Sequence, residues 1–195
     1  MSKGEATRQA VLDRAVEVAR QVGLSGLTIG RLAEQAQMSK SGLFAHFRSK
    51  EALQLAVLEH ARAAFETHVA RPALKAPRGE ARLRSLFEHW LRWVTLPGGC
   101  PFVAAATEFD DQPGPVRDRV VHDLRDLFDM ISTVFRTGIT EGQFRADADP
   151  DQFAQDFYGV ILGFHHVRRL LGDDQAERRA RRAFDALIEQ ARRPA

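Results

Sequence analysis

The stretch MSKSGLFAHFRSKEAL, residues 38–53, combines small polar side chains with two phenylalanines, a histidine and three cationic side chains. Ser39 can cap a very short helix within it, and Ser49 can cap the helix that follows. The short helix is too small and too polar to form a core by itself. Its first residues are Lys40, Ser41 and Gly42. A glycine inside a helix costs about 1 kcal/mol relative to alanine, and close approach to another molecule is one reason for it.

A second short helix precedes this stretch. Thr28 can cap a helix that runs to about Ala36, and Gln37-Met38-Ser39 joins the two helices. This spacing is typical of a helix-turn-helix motif, whose second helix enters the DNA major groove, which is about 12 Å wide. We therefore expect the short residues 40–42 to lie nearest the bases. Lys50 begins the next helix, where free N–H groups favour a phosphate. The alternative is a plain helical hairpin inside an all-α core.

Apolar residues recur at helical spacing along the rest of the chain, and no alternating strand pattern competes with them. Gly23 can end the first helix, and Asp149 can cap a late helix that has Pro150 at its first position. We predict an all-α fold of about nine helices. Residues 1–50 form a three-helix helix-turn-helix DNA-binding domain in this prediction. Residues 51–195 form a helical domain for effector binding and dimerisation.

Composition narrows the class of protein. Residues 1–50 carry eight Lys or Arg and four Asp or Glu, whereas the remainder carries twenty and twenty-two. A basic head on a mildly acidic body favours a polyanionic partner. The chain has one cysteine, no run of eighteen apolar residues and no secretory signal, so we expect a cytoplasmic protein that spans no membrane. No nucleophile elbow, phosphate loop or metal-ligand spacing occurs, so we expect no enzyme activity, metal or cofactor.

The segment LTIGRLAEQAQMSKSGLFAHFRSKEAL, residues 27–53, resembles the N-terminal domain of the tetracycline-repressor (TetR) family of transcriptional regulators. The resemblance covers roughly residues 7–55, and the remainder is similar only in length and helical layout. It implies a homodimer that represses transcription from a palindromic operator on double-stranded DNA and responds to a small-molecule effector. The DNA-contacting positions that it implies are Thr28, Ser39, Lys40, Ser41, Gly42, His46 and Lys50.

Two positions depart from the family pattern. Phe44 is also a predicted DNA-binding residue, but it stands where the family usually has a tyrosine whose hydroxyl contacts a phosphate. His46 and Lys50 are therefore expected to carry more of the backbone contact. Gln37 stands where the family usually has a turn glycine. If that position requires a positive φ, Gln37 is mildly strained.

The last two helices each carry an apolar stripe, and two copies paired across a two-fold axis would form a four-helix bundle. Some of these residues must instead face their own chain. The candidates for the dimer interface are Phe164, Leu171, Phe184, Leu187 and Ile188.

The body is rich in aromatic residues, and an apolar cavity with a few polar groups is the usual form of a small-molecule site. Aromatic residues at helical spacing more often belong to a plain core, and only the family resemblance favours a cavity for an apolar or aromatic effector. The candidate ligand-binding residues are His89, Trp90, Trp93, Phe102, Phe128, Phe157 and His165. Two alternatives stay open: an architectural or division-related DNA-binding protein controlled by a protein partner, and a regulator that responds to redox changes through Cys100.

Overall fold

The computed structural model describes residues 3–192, with side chains from residue 4 onward. Nine continuous helical segments make up this part of the chain, and the only extended pairing within it is one antiparallel bridge between Phe144 and Arg192. The all-α prediction is confirmed. None of the helices in the described residues is long and apolar enough to cross a membrane.

The helices follow one another with short connections. They are α1 Lys3–Gly26, α2 Ile29–Ala36, α3 Lys40–Phe47, α4 Lys50–Phe65, α5 Glu80–Val94, α6 Pro101–Phe109, α7 Pro115–Thr140, α8 Pro150–Leu170 and α9 Ala176–Ala191. A π-helical turn, Glu66–Ala70, and a short helix, Arg71–Leu74, continue α4 without a break.

Side-chain caps begin the helices where the sequence predicts them. Thr28 Oγ1 accepts a hydrogen bond from the Arg31 N–H at 3.1 Å, and Ser49 Oγ accepts one from the Ala52 N–H at 3.0 Å. Asp149 accepts from the N–H groups two and three residues later at 2.9 and 3.2 Å. Each cap satisfies a donor that a helix start leaves without an intrahelical partner.

The chain divides into two compact units. The first comprises the residues up to Ala64 together with Leu96–Asp123, and the second comprises Phe65–Thr95 with the residues from Leu124 onward. Helices α4 and α7 contribute to both units. The predicted division at residue 50 concerns function, and it stays a prediction.

The first unit is built on α1, α2, α3, α4 and α6. Leu27, Leu32 and Leu43 are fully buried in its core. Gly23 has φ 76° and ends the regular part of α1, as the sequence predicts. A Cβ atom on Gly23 would clash with the Glu108 carboxylate, so the glycine also allows this close approach.

The second unit has an aromatic core. Phe184 of α9 stacks on Phe87 of α5, with ring centroids 4.1 Å apart and planes within 7°. Phe135 of α7 stacks in the same way on Phe144 at 4.6 Å. The apolar stripes of α8 and α9 therefore pack within the chain, at least in part.

Candidate DNA-binding surface and aromatic cluster

Helix α3 has a buried side and an exposed side. Leu43 and Phe47 are buried in the first unit, whereas Lys40, Ser41 and Phe44 are exposed. Phe44 has 55% of its surface exposed, whereas phenylalanine is mostly buried in folded proteins. The exposed side therefore offers short polar residues at its N-terminal end and one aromatic ring a turn later.

The turn between α2 and α3 is tight. Gln37 adopts φ 53° and ψ 40°, the left-handed conformation, and its N–H bonds back to Ala33 and Glu34. Ser39 Oγ then accepts a hydrogen bond from the Gly42 N–H at 3.1 Å and lies 3.2 Å from Ser41 Oγ. These contacts fix the start of α3, and the helix-turn-helix prediction is confirmed.

Two polar groups gather at the N-terminus of α2. A Cβ atom placed on Gly30 would lie 3.8 Å from Lys40 Nζ and 3.9 Å from Thr28 Oγ1, so both groups border this glycine. Helix N-termini present free N–H groups and a partial positive charge. An ammonium, a hydroxyl and a helix N-terminus together suit an anion such as a DNA phosphate. Sequence reasoning missed Gly30, although its place two residues after a cap is a usable signal.

The start of α4 is tied to the end of α1. Lys50 Nζ donates a hydrogen bond to the Ser25 carbonyl oxygen at 2.6 Å, and the Ser25 N–H donates to Glu108 Oε2 at 2.7 Å. Arg48, between α3 and α4, has a positive φ of 56°. His46 is half-buried, with its ring 6.2 Å from that of Phe47.

An aromatic cluster lies in the second unit, and it includes four of the seven predicted ligand residues. Trp90 contacts the ring of Phe157 at a centroid distance of 5.9 Å and that of Tyr158 at 6.1 Å. Tyr158 contacts Phe128 at 5.4 Å. Phe65 lies edge-on to Trp90 at 5.5 Å and to Trp93 at 5.7 Å. We call these six residues the aromatic cluster.

The other three predicted ligand residues are not among the six residues of the aromatic cluster. Phe102 belongs to the first unit, where it packs against that unit's core. The His89 Nδ1 atom lies 2.8 Å from the Ser85 carbonyl oxygen of its own helix. His165 follows Phe157 by eight residues on α8, which is about 12 Å along a helix.

His165 is buried, with 8% of its surface exposed. Burial, followed by the positive charges of Arg169 and His166, lowers its pKa from 6.5 to about 4. His165 is therefore neutral at physiological pH.

Family models match both parts of the chain. Residues 11–57 match the bacterial regulatory proteins of the tetR family, and residues 79–184 match the tetracyclin repressor-like, C-terminal domain. The chain belongs to the TetR family. Members of this family are DNA-binding transcription regulators and not enzymes.

Known relatives agree with this assignment. The HTH-type transcriptional repressor NemR of Escherichia coli strain K12 is 26% identical over 162 residues, which cover 80% of this chain and 81% of NemR. The HTH-type transcriptional regulator SrpR of Pseudomonas putida is 26% identical over 178 residues, covering 90% of this chain and 81% of SrpR. A TetR transcriptional regulator from Chloroflexus aurantiacus J-10-FL superimposes with a TM-score of 0.88 at 25% identity, over 100% of both chains.

The predicted dimer residues of this TetR-family regulator divide into two groups. Phe164, Phe184 and Ile188 are buried within the single chain, with exposures of 3%, 2% and 0%, so they have almost no surface left for a second chain. Leu187 is half-buried, and Leu171 is 70% exposed.

Sequence reasoning did not find the exposed small residues on the same two helices. Gly159 and Gly163 of α8 and Ala183 and Ala186 of α9 are exposed. It also missed Phe65 and Tyr158 of the aromatic cluster. The four-residue spacing of Gly159 and Gly163 could have indicated the exposed small residues. Phe65 could not be found in this way, because it is far in sequence from the residues it contacts.

Proposed function

We propose that this TetR-family regulator is a repressor that binds a palindromic operator as a homodimer and leaves it when a small apolar or aromatic effector binds. The observation that carries the proposal is the exposed side of α3. Its first turn has only short side chains and Lys40, so the helix backbone can approach base edges in a major groove. The similarity to NemR, a repressor, favours repression over activation.

Ser41 and Gly42 are the residues that we assign to the bases, because they are short and lie in the first turn of α3. Thr28, Ser39, His46 and Lys50 are assigned to phosphates, which position the protein without reading sequence. Lys40 is the one residue whose role changes relative to the sequence-based expectation. Its ammonium lies beside Gly30 and Thr28, and we therefore assign it to a phosphate at the N-terminus of α2.

The dimer is proposed to form through the exposed sides of α8 and α9. A Cβ atom on Gly159 or Gly163 would meet nothing within 4 Å in the single chain, so a partner helix could approach this side of α8 closely. Leu170 and Leu171, at the end of α8, are 78% and 70% exposed, and leucines at that exposure favour a partner. Two copies would then present two α3 helices to the half-sites of a palindrome.

The effector is proposed to bind at the aromatic cluster, in the region 51–195 that we assign to effector binding and dimerisation. Phe65, Phe128 and Tyr158 are half-buried, whereas Trp90 and Phe157 are buried. Aromatic side chains that range from half-buried to buried suit an apolar molecule that enters from the surface. Cys100 is only 2% exposed, so no observation favours oxidation of this thiol as the signal.

DNA selection from random duplexes tests the proposal. We expect a palindromic sequence to be enriched, and we expect some members of a panel of apolar aromatic compounds to release it in a mobility-shift assay. Enrichment without a palindrome would favour the architectural alternative. A palindrome that no compound releases would favour a protein partner or a redox signal.

A further inference from the structure

The aromatic cluster contains a buried hydrogen-bond donor that has no acceptor. Trp90 is 2% exposed, and among residues 3–192 no acceptor atom lies within hydrogen-bonding distance of its indole Nε1. An indole N–H can only donate. Native proteins pair nearly all buried N–H groups, because an unpaired one loses its hydrogen bonds to water and gains nothing in return. The Trp90 donor therefore calls for an explanation.

The surroundings of Trp90 point to a ligand. Its ring contacts Phe65, Phe157 and Tyr158, and the outer members of the cluster are half-buried while the inner ones are buried. The donor thus lies at the buried end of a set of aromatic rings whose other end reaches the surface. A flat apolar molecule that packs along these rings could bring its own acceptor to the indole N–H.

We propose that the effector is an apolar or aromatic molecule bearing a neutral carbonyl oxygen, as in a ketone, ester or amide, that accepts a hydrogen bond from Trp90 Nε1. The proposal rests on the proposed function, because it concerns the effector of that same site. A carboxylate fits this position poorly, since a single N–H cannot compensate the loss of water around a full negative charge. A pure hydrocarbon would leave the donor unpaired.

A matched pair of probes isolates this hydrogen bond. 2-Acetylnaphthalene and 2-isopropenylnaphthalene have nearly the same shape, but only the ketone has an acceptor oxygen. We expect the ketone to bind the full-length protein about tenfold more tightly in titration calorimetry, as one neutral hydrogen bond allows. In Trp90→Phe the ketone and the hydrocarbon should bind with about the same affinity. The affinity for the hydrocarbon should stay close to that of the parent protein. Trp93→Phe removes the other indole N–H of the aromatic cluster and tells the two donors apart. We expect this variant to keep the preference for the ketone, and a preference that is lost in Trp93→Phe but kept in Trp90→Phe would overturn the proposal.

A second measurement does not depend on how well Trp90→Phe folds. The chain has two tryptophans and so gives two indole N–H signals in a ¹H–¹⁵N spectrum, which Trp93→Phe assigns. The ketone should move the Trp90 signal downfield and slow its hydrogen exchange, whereas the hydrocarbon should do neither. Equal affinity for the two probes, an unmoved Trp90 signal, or no binding of either probe would each overturn the proposal.

Operator release separates this proposal from the proposed function. If both probes release a selected palindrome equally well, the repressor function stands and the role of Trp90 is wrong. If the ketone preference holds but no palindrome is selected, the Trp90 donor stands and the repressor function is wrong.

Discussion

Lys50 donates a hydrogen bond from Nζ to the backbone carbonyl oxygen of Ser25, 2.6 Å away. The bond holds the first residue of α4 against the last turn of α1. An ammonium group has three donors, so two remain for a phosphate. The bond also fixes the direction of a long side chain that would otherwise lose conformational entropy on binding DNA. The Lys50 side chain is thus restrained before any DNA binds.

Lys50→Ala should weaken binding to all DNA sequences to a similar extent. Loss of one phosphate contact should reduce the slope of log K against log salt concentration by about 0.9. Fluorescence anisotropy at several salt concentrations measures this slope on operator and on random DNA. Lys75→Ala, at an exposed lysine of the second unit, is the matched control and should leave the slope unchanged. A change in sequence preference would show instead that Lys50 contacts bases.

Phe44→Tyr should tighten operator binding by a few-fold. The ring is 55% exposed on the side of α3 that we propose faces DNA, and the resemblance to the TetR family implies a tyrosine at this position. A single added hydrogen bond to phosphate is worth about 0.5–1.5 kcal/mol. Because the ring stays in solvent in the free protein, the melting temperature should stay the same. An operator affinity equal to that of the parent protein would mean that residue 44 does not reach a phosphate.

Gln37→Gly should stabilise the protein. Gln37 has φ 53°, and a left-handed conformation costs a residue with a side chain on the order of 1 kcal/mol. Glycine removes that cost but has more freedom in the unfolded chain, so we expect a net gain of about 0.5 kcal/mol. Gln21→Gly, at an exposed helical position of α1, should instead destabilise by about 1 kcal/mol. Urea unfolding of both variants decides whether the turn is strained.

Local signals account for what the sequence could predict. The caps at Thr28, Ser39, Ser49 and Asp149 and the stop at Gly23 depend on residues only a few positions apart. The same holds for the helix-turn-helix, whose helices are adjacent in the chain.

Long-range packing accounts for what the sequence left open. Phe184 has the right spacing for an interface, but its ring stacks on Phe87, almost one hundred residues earlier. Phe65 joins the aromatic cluster from the end of α4, where its helical spacing predicts burial but does not predict which residues it contacts. A helical stripe shows that a residue will be buried, but it does not show whether its own chain or another molecule will bury it.

Stability should fall as the pH falls from 6.5 to 4, in part because of His165. In the folded protein burial lowers the pKa of this histidine to about 4, while the unfolded chain keeps an ordinary value near 6.5. Between these values the unfolded chain binds a proton that the folded chain does not. The contribution of His165 to the free energy of unfolding is therefore fully present above pH 6.5. It is lost progressively as the pH falls to 4, by at most about 3 kcal/mol.

Urea unfolding at pH 7, 5.5 and 4.5 measures this effect. His165→Leu should show a smaller loss of stability across the three pH values than the parent protein. His166→Leu, at the exposed neighbour, should retain most of the loss. If His165→Leu and the parent protein lose stability in parallel, His165 does not carry the pH dependence.

Gly163→Leu should dissociate the proposed dimer. Gly163 is an exposed residue in the interior of α8, and an added Cβ atom meets nothing within 4 Å in the single chain. Leucine forms helix better than glycine by close to 1 kcal/mol, so the change should stabilise an isolated chain. Against a closely packed partner helix the same side chain would clash. Sedimentation velocity should therefore show more monomer, together with weaker binding to a palindromic operator.

Gly4→Leu provides the matched control, because Gly4 is also an exposed helical glycine with open space around it. This variant should remain a dimer and bind the operator as the parent protein does. If Gly163 packs against a partner helix, the leucine should dissociate the dimer. If Gly163 faces solvent, the leucine should stabilise the protein. A Gly163→Leu protein that stays dimeric and melts at a higher temperature would place this side of α8 in solvent and exclude it from the dimer interface.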